Sequence, residues 1–559
     1  MPHSPNLPVV AYFSMEIALE DGIKSYSGGL GVLAGDILRS AADIGLPMVG
    51  VTLLSDQGYF EQTINPAGEQ DETPDADYDF SLLEKLDISF WINIASNRVR
   101  IGVWRYLIKS ASGGEVPVYF LDTKYPENKA EYRGLTGQLY GGDETYRLLQ
   151  TIILGRGGFA ALQALGYRVD KYHINEGHGA FVAVDRFLAA TAQDDQAKLI
   201  ETRQACVFTT HTPLKLAHSF LPLDTVLAYQ PDFPAQLPGL VINREVDMTQ
   251  VALYFSGYAN AVSAQHQQLA VQLFPDQTIH KVTNGVHSQS WTAPEFQALY
   301  DQYIPGWRQA SLKLAQAADI PVSEIVRAHQ VAKGRLLALI EERSGLKWQP
   351  EVMTIGFGRR FAPYKRPALL LQDMDRLLRI QEKCGPLQIV YGGKAHPADD
   401  EGQGLIADIH RLIGRYRDQI RLIFLEDYEM ELAKIMTAGV DLWLNTPLPP
   451  NEASGTSGMK AAHNGVPQLG TLDGWWPEGY IKGQTGWAIA ETRVPEAETQ
   501  NARDAASLYD ILEQEIVPLF YRDPAAWQEM MRSAISLNAS RFNTERVLRE
   551  YQRDAYSIA

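Results

Sequence analysis

Apolar residues along this chain fall in short runs separated by amphipathic stretches. In the first half the runs are VVAYFSM, MVGVTLL, VPVYFLDT, ACVFTTH and HKVTNGV; in the second they are VMTIGFG, LQIVYGGK, IRLIFLEDY, VDLWLN and QLGTLDG. Runs of this length and composition predict strands covered on both faces. Between them lie helical patterns such as 367–382, where Leu370, Met374, Leu377 and Leu378 repeat at i, i+4, i+7 and i+8. Strands alternating with helices predict parallel sheets. Two such series predict an α/β chain of two doubly wound, Rossmann-like domains, with ligands bound outside the strand C-termini in a central cleft that both domains face.

The break between the series falls after TNGVHSQSW (Thr283–Trp291), which predicts an N-terminal domain of residues 1–290 and a C-terminal domain of 291–559. A helical stretch broken at IPGW and DIPVS fills 294–344. The second strand series starts near Glu351. The last stretch, 504–559, is helical and is expected to pack back on the N-terminal domain. No short-period repeat and no low-complexity tract interrupts the pattern.

At 559 residues the chain is too long for one core. Its net charge of −17 leaves no basic excess to neutralise a nucleic acid backbone. Two isolated cysteines, Cys206 and Cys384, suit neither a disulfide framework nor a zinc site. The start, MPHSPNLPVVAYFSME, has no basic segment followed by a signal-type apolar run, and no uncharged run approaches the ~18 residues of a membrane span. A cytoplasmic protein is the expectation.

Three segments carry candidate chemistry. NEASGTSGMKAAHNG (Asn451–Gly465) places one lysine, Lys460, just inside a helix opened by small residues. A helix start rich in Gly, Ser and Thr offers free N–H groups and a positive dipole end to a phosphate. The lysine could be a simple cation, the covalent partner of pyridoxal phosphate, or a solvated side chain beside a close-packed turn; the Walker spacing is absent. GFGRRFAPYKRP (Gly356–Pro367) sets Arg359, Arg360, Lys365 and Arg366 after a strand, either a concentrated anion site or a solvated basic turn. YSGGLGVLAGD (Tyr26–Asp36) resembles a loop whose glycines let backbone approach a ligand. His173, His178, His211 and His218 lie in or after strand-ending segments without metal-site spacing, so hydrogen bonds to sugar hydroxyls or structural roles are expected for most, and no metal.

Taken together, AYFSMEIAL, YSGGLGVLAGD, GVTLLSDQGYF, HINEGHGAF, FTTHTP, KVTNGVH, GFGRRFAPYKRP, YGGKAHPAD, LEDYEMELAK and EASGTSGMKAAHNGV…GTLDGWWPEGY resemble, in order, the α-glucan (glycogen, starch, maltodextrin) phosphorylase family, in its short bacterial and archaeal form. The blocks run from about Ala11 to Trp487, and EASGTSGMK is the most specific of them. The resemblance implies a GT-B type glycosyltransferase architecture and reversible phosphorolysis: an α-1,4-glucan and inorganic phosphate give α-glucose 1-phosphate and a shorter glucan, with the anomeric configuration retained. It implies pyridoxal 5′-phosphate held covalently by Lys460, its phosphate gripped at Gly455, Thr456 and Ser457, with Arg359 and Trp291 as further cofactor contacts. Arg360, Lys365 and the backbone of Gly29 match the clamp on substrate phosphate. His211 and Asn284 match contacts to the transferred glucosyl unit, Glu452 and Ser454 contacts to sugar hydroxyls, and Glu176 a carboxylate near the same pocket. The cofactor phosphate is implied as a proton relay and the pyridine ring as a scaffold.

The chain departs from the family pattern at NTPLPPNEASG, at THTPLKLAHSF and at Glu429, where long forms carry an arginine. It lacks the long forms' N-terminal extension, so control by phosphorylation or nucleotides is not expected. A homo-oligomer is compatible with the resemblance; nucleic acid and membrane partners are not expected. Two alternatives stay open: a sugar-nucleotide-dependent glycosyltransferase of the same architecture, in which Lys460 carries no cofactor, and a non-catalytic glucan-binding relative.

Overall fold

The computed structural model describes residues 9–74, 78–213, 220–490, 492–494 and 496–557; His218 and the rest of the segment 214–219 lie outside them. The described residues form two compact units. The first takes those within 1–60, 74–283 and 547–559, and the second takes 61–73 and 284–546.

The first unit is built on a nine-stranded sheet. Its spatial order is Ile279–Lys281, Tyr258–Ala261, Cys206–Thr209, Val169–Asn175, Val9–Ser14, Met48–Leu53, Glu115–Asp122, Asn97–Lys109 and Glu84–Ile94. The first seven strands run parallel. The last two are antiparallel, so the expectation of a parallel sheet fails at this edge. The reason is visible in the chain: Leu86, Ile88, Phe90, Ile92 and Ile94 alternate with exposed Asp87, Ser89, Trp91 and Asn93, the pattern of a sheet with one solvated face. The strand expected in HKVTNGV is confined to Ile279–Lys281. Every residue of Val9–Ser14 is buried, as a central strand with both faces covered requires. One covering element is the helix Gly29–Ile44, which ends at Gly45; its φ of 67° lets its N–H reach Ala41 and Ala42 carbonyls. Another is the C-terminal segment, whose Val547, Leu548, Tyr551 and Tyr556 share a core with Val10, Tyr12 and Leu33.

The second unit holds a six-stranded, all-parallel sheet in the order Arg421–Leu425, Leu387–Gly392, Met353–Gly358, Leu442–Asn445, Gln468–Thr471 and Gly486–Ile489. The helix expected over 367–382 begins only at Met374, because the Asp373 side chain accepts from Arg376 N–H at 2.8 Å and caps it there; Leu370 sits in a separate short turn. A hairpin of Glu61–Ile64 and Gln70–Thr73 belongs to this unit although the chain on either side of it belongs to the other. Gln62 and Gln70 anchor it by donating to the carbonyls of Gly393 (2.9 Å) and Ala395 (3.0 Å).

Among the parallel strands, each main sheet reverses its strand order once. In the first unit the reversal lies between Val9–Ser14 and Val169–Asn175, and in the second between Met353–Gly358 and Leu442–Asn445. Loops leaving the carboxyl ends of such strand pairs diverge and open a crevice, the general ligand position of doubly wound sheets.

Candidate active site

In the second unit the loop after Met353–Gly358 carries the basic cluster, and the loop after Leu442–Asn445 carries the small-residue segment. Hydrogen bonds to backbone carbonyls tie the two loops together: Leu448 N–H donates to Tyr364 O at 2.7 Å, and the Thr446 hydroxyl to Arg366 O at 3.0 Å. This brings Glu452 against two cations. Its Oε2 takes Arg359 Nη2 at 2.6 Å and Lys365 Nζ at 2.5 Å, and all three side chains are at most 10% exposed. Burial alone would raise the Glu452 carboxyl, but Arg359 and Lys365 outweigh it and hold the group at about 2. The Glu452 N–H is fixed by Asp473 Oδ2 at 3.0 Å. Arg359 also bonds Asn445, yet its buried Nε has no partner among the described residues. A buried charged donor left unmatched inside a cluster of cations fits an anion that completes it.

The four sequence cations part company here. Arg360 is exposed and bonds none of the described residues, which leaves it available to a ligand. Arg366 is not part of an anion site, contrary to the reading of four cations acting together. It is buried with φ of 48°, donates to Thr446 O and Pro447 O, and pairs with Asp504 at 2.7 Å. It holds the loop and is already satisfied.

Lys460 lies on the helix Ser457–Ala462, buried, with its ammonium 3.7 Å from the centre of the Trp291 ring. Asn464 staples the two elements, donating to Trp291 O at 2.8 Å and Lys460 O at 3.0 Å while accepting from Ala293 N–H at 2.7 Å. Sequence reading missed Asn464 although it lies in the quoted motif, because nothing local announces a partner 173 residues away. The helix has no side-chain cap at Thr456, and Ser457 Oγ is turned to accept from Trp443 Nε1 at 3.0 Å. Gly455 needs its φ of 68°, and a Cβ on Gly458 would strike Gln468 Oε1 at 1.6 Å, so small residues are required where the helix starts. Ser454 is buried beside them, and Asn284 is buried with its carbonyl held by Arg546 at 3.0 Å. Glu429 meets Lys394 at 3.2 Å, so a lysine from YGGKAHPAD stands at that departure from the family pattern.

These residues fit pyridoxal phosphate: a buried lysine on an indole face, an uncapped helix start of small residues, and an unmatched buried guanidinium N–H.

In the first unit, Glu176 follows Val169–Asn175 and His211 follows Cys206–Thr209. Glu176 adopts φ 69°, a costly backbone for a non-glycine residue, and its carboxylate accepts from Gly177 N–H (2.9 Å), His211 N–H (2.7 Å) and the Thr212 hydroxyl (3.0 Å). His211 Nε2 lies 2.7 Å from Asn175 Oδ1. Burial depresses the His211 imidazole to about 4 despite Glu176, so it is neutral at pH 7. Gly29 opens the helix Gly29–Ile44 with an extended Gly28 before it, and a Cβ at either glycine would meet nothing within 4 Å. Neither the backbone nor a neighbour demands glycine there, which leaves open room for a ligand. Glu16 shapes this loop, accepting from Ser27 N–H (2.8 Å), Gly28 N–H (3.1 Å) and the Tyr140 hydroxyl (2.9 Å).

His173 is a structural residue. It is fully buried between Tyr556 Oη (2.6 Å from Nδ1) and Thr209 Oγ1 (2.8 Å from Nε2), with no ring nitrogen left for a sugar or metal.

Two doubly wound α/β units, one with a buried lysine at an uncapped helix start, define a Rossmann-like class of fold that binds ligands at its strand C-termini. The comparisons narrow it. Residues 238–477 match the family model described as carbohydrate phosphorylase. A maltodextrin phosphorylase of Thermococcus litoralis is 36% identical over 98% of this chain and 70% of its own length. Glycogen phosphorylases of Aquifex aeolicus and Mycobacterium tuberculosis are 35% and 34% identical over 98% of the chain, covering 86% and 71% of their own lengths. The chain belongs to the carbohydrate phosphorylase family.

Proposed function

We propose that this chain is an α-glucan phosphorylase that cleaves α-1,4-glucans with inorganic phosphate to give α-glucose 1-phosphate, reversibly and with retention, in the cytoplasm. The observation that carries the reading is the Arg359–Lys365–Glu452 cluster with its unmatched guanidinium N–H, in the same unit as Lys460. Lys460 holds pyridoxal 5′-phosphate, with Gly455, Thr456 and Ser457 at its phosphate and Arg359 and Trp291 as further contacts. When bound, that group would supply a phosphate able to act as an acid.

The chain's own residues do the rest. Arg360 and Lys365 hold inorganic phosphate as the nucleophile, and their charge offsets its desolvation. Lys365 is pre-positioned by Glu452, which must share it when phosphate arrives. Asn284, Glu452 and Ser454 bind sugar hydroxyls. Glu176 fixes the backbone of His211, and the neutral imidazole takes part in binding the transferred glucosyl unit.

The test is the absorption spectrum of the purified protein with and without borohydride, followed by peptide mapping. A pyridoxyl group on Lys460 is expected. A chromophore-free protein that transfers glucose from a sugar nucleotide would replace this reading with the glycosyltransferase alternative.

A further inference from the structure

The hydrogen bonds behind His211 determine which of its nitrogens carries the proton. Ser14 Oγ donates its single proton to Glu16 O at 2.7 Å. That hydroxyl can therefore only accept from its other neighbour, Asn175, which approaches at 3.0 Å. The Asn175 atom facing Ser14 is then the amide NH2, and the atom facing His211 is the carbonyl Oδ1. An oxygen without a proton, 2.7 Å from His211 Nε2, requires that Nε2 be the donor. Ser14 and Asn175 are fully buried, so no water substitutes for either bond. Glu176 holds the His211 main chain at 2.7 Å and keeps the ring in register with Asn175. His211 Nδ1 bonds none of the described residues, and it carries the free lone pair of the neutral ring.

We propose that Asn175 is a positioning residue: the relay Glu16 O, Ser14 Oγ, Asn175 amide locks His211 as the Nε2–H tautomer, so that Nδ1 accepts a hydrogen bond from a hydroxyl of the transferred sugar and cannot give one. The proposal rests on the reading that His211 contacts that sugar. Its consequence is a specificity rule. A sugar phosphate whose hydroxyl at that position is replaced by fluorine cannot donate, and it leaves Nδ1 unmatched.

The experiment uses the holoenzyme labelled with 15N-histidine, with His211→Gln to assign the resonances among 12 histidines. At pH 7 the parent is expected to show a protonated Nε2 and a bare Nδ1. Asn175→Asp keeps an acceptor at the same place and preserves that pattern. Ser14→Ala, a smaller change should Asn175→Ala not fold, frees the amide to turn and yields a mixture of tautomers. In parallel, kcat/KM is measured with glucose 1-phosphate and its series of deoxyfluoro analogues. One analogue is expected to be penalised roughly tenfold beyond the others in the parent and in Asn175→Asp, and much less in Ser14→Ala or Asn175→Ala. If His211→Gln leaves every analogue ratio at the parental value, the sugar contact of His211 is wrong. If His211→Gln removes the selective penalty but Ser14→Ala and Asn175→Ala change neither the 15N pattern nor the ratios, the sugar contact stands and the relay is overturned.

Discussion

Replacing Glu452 by Gln keeps its shape but removes the carboxylate that Arg359 and Lys365 share. The gap between about 2 in the folded protein and the ordinary 4.5 corresponds to about 3 kcal/mol of stability above pH 4.5. The sign follows from the depressed value: this stability is complete above pH 4.5 and is lost as pH falls toward 2. Breaking one partner from a buried ion pair costs a similar ~3–5 kcal/mol, because the cations stay buried and repel. At neutral pH the variant should therefore unfold roughly 6 °C or more below the parent in scanning calorimetry, in the transition of the second unit. Phosphate should then recover part of the loss, because an anion that replaces the carboxylate binds the folded state. In the parent, phosphate competes with Glu452 for Lys365 and gives a smaller upward shift. Equal melting temperatures for the two proteins, or equal phosphate-induced shifts, would refute the reasoning that Glu452 stands in the anion site.

Other outcomes follow from the same geometry. Arg360→Ala should leave the melting temperature unchanged, since Arg360 is exposed and bonds none of the described residues, yet phosphate KM should rise and kcat fall by a combined ~10- to 150-fold in steady-state kinetics. Lys460→Ala should lose pyridoxal absorbance and activity together, and a chromophore retained after dialysis would contradict its role. Burial holds His173 at about 3, and His211 and His463 at about 4, all below an ordinary 6.5. Such neutral histidines contribute stability above pH 6.5 that is lost as pH falls, so near pH 5 the pH dependence of unfolding should steepen by roughly 2.5 kcal/mol per pH unit in the first unit, which holds His173 and His211, and by roughly 1 in the second, which holds His463. Tyr556→Phe should lower stability by about 1–3 kcal/mol by orphaning His173 Nδ1, measurable by thermal unfolding.

Much of the fold was legible because strands covered on both faces appear as unbroken apolar runs, and those runs mark most central strands of both sheets; Val169–Asn175, with Asp170, Lys171 and His173 in it, is the central strand they missed. The antiparallel strands Glu84–Ile94, at the edge, and Asn97–Lys109, next to it, were overlooked because they alternate instead. Gly486–Ile489 and Tyr258–Ala261 were overlooked as well. The site residues were legible as motif members, but their partners were not. Lys365 meets Glu452 across 87 residues, Arg366 meets Asp504 across 138, and His173 meets Tyr556 across 383, and no local pattern encodes such pairings. That is why Arg366 was grouped with the anion-binding cations, and why the sequence left His173 open between a structural role and a sugar contact. The assignment of the hairpin Glu61–Thr73 to the second unit was likewise invisible, since it depends on two glutamines reaching backbone over 300 residues away.

The central claim is tested most directly by incubating the protein, supplied with pyridoxal 5′-phosphate, with maltoheptaose and inorganic phosphate and analysing the products. Phosphate-dependent release of α-glucose 1-phosphate with maltohexaose as the first shortened glucan is the predicted result. Free glucose, the β-anomer, or no reaction by a protein that has taken up the cofactor would contradict it.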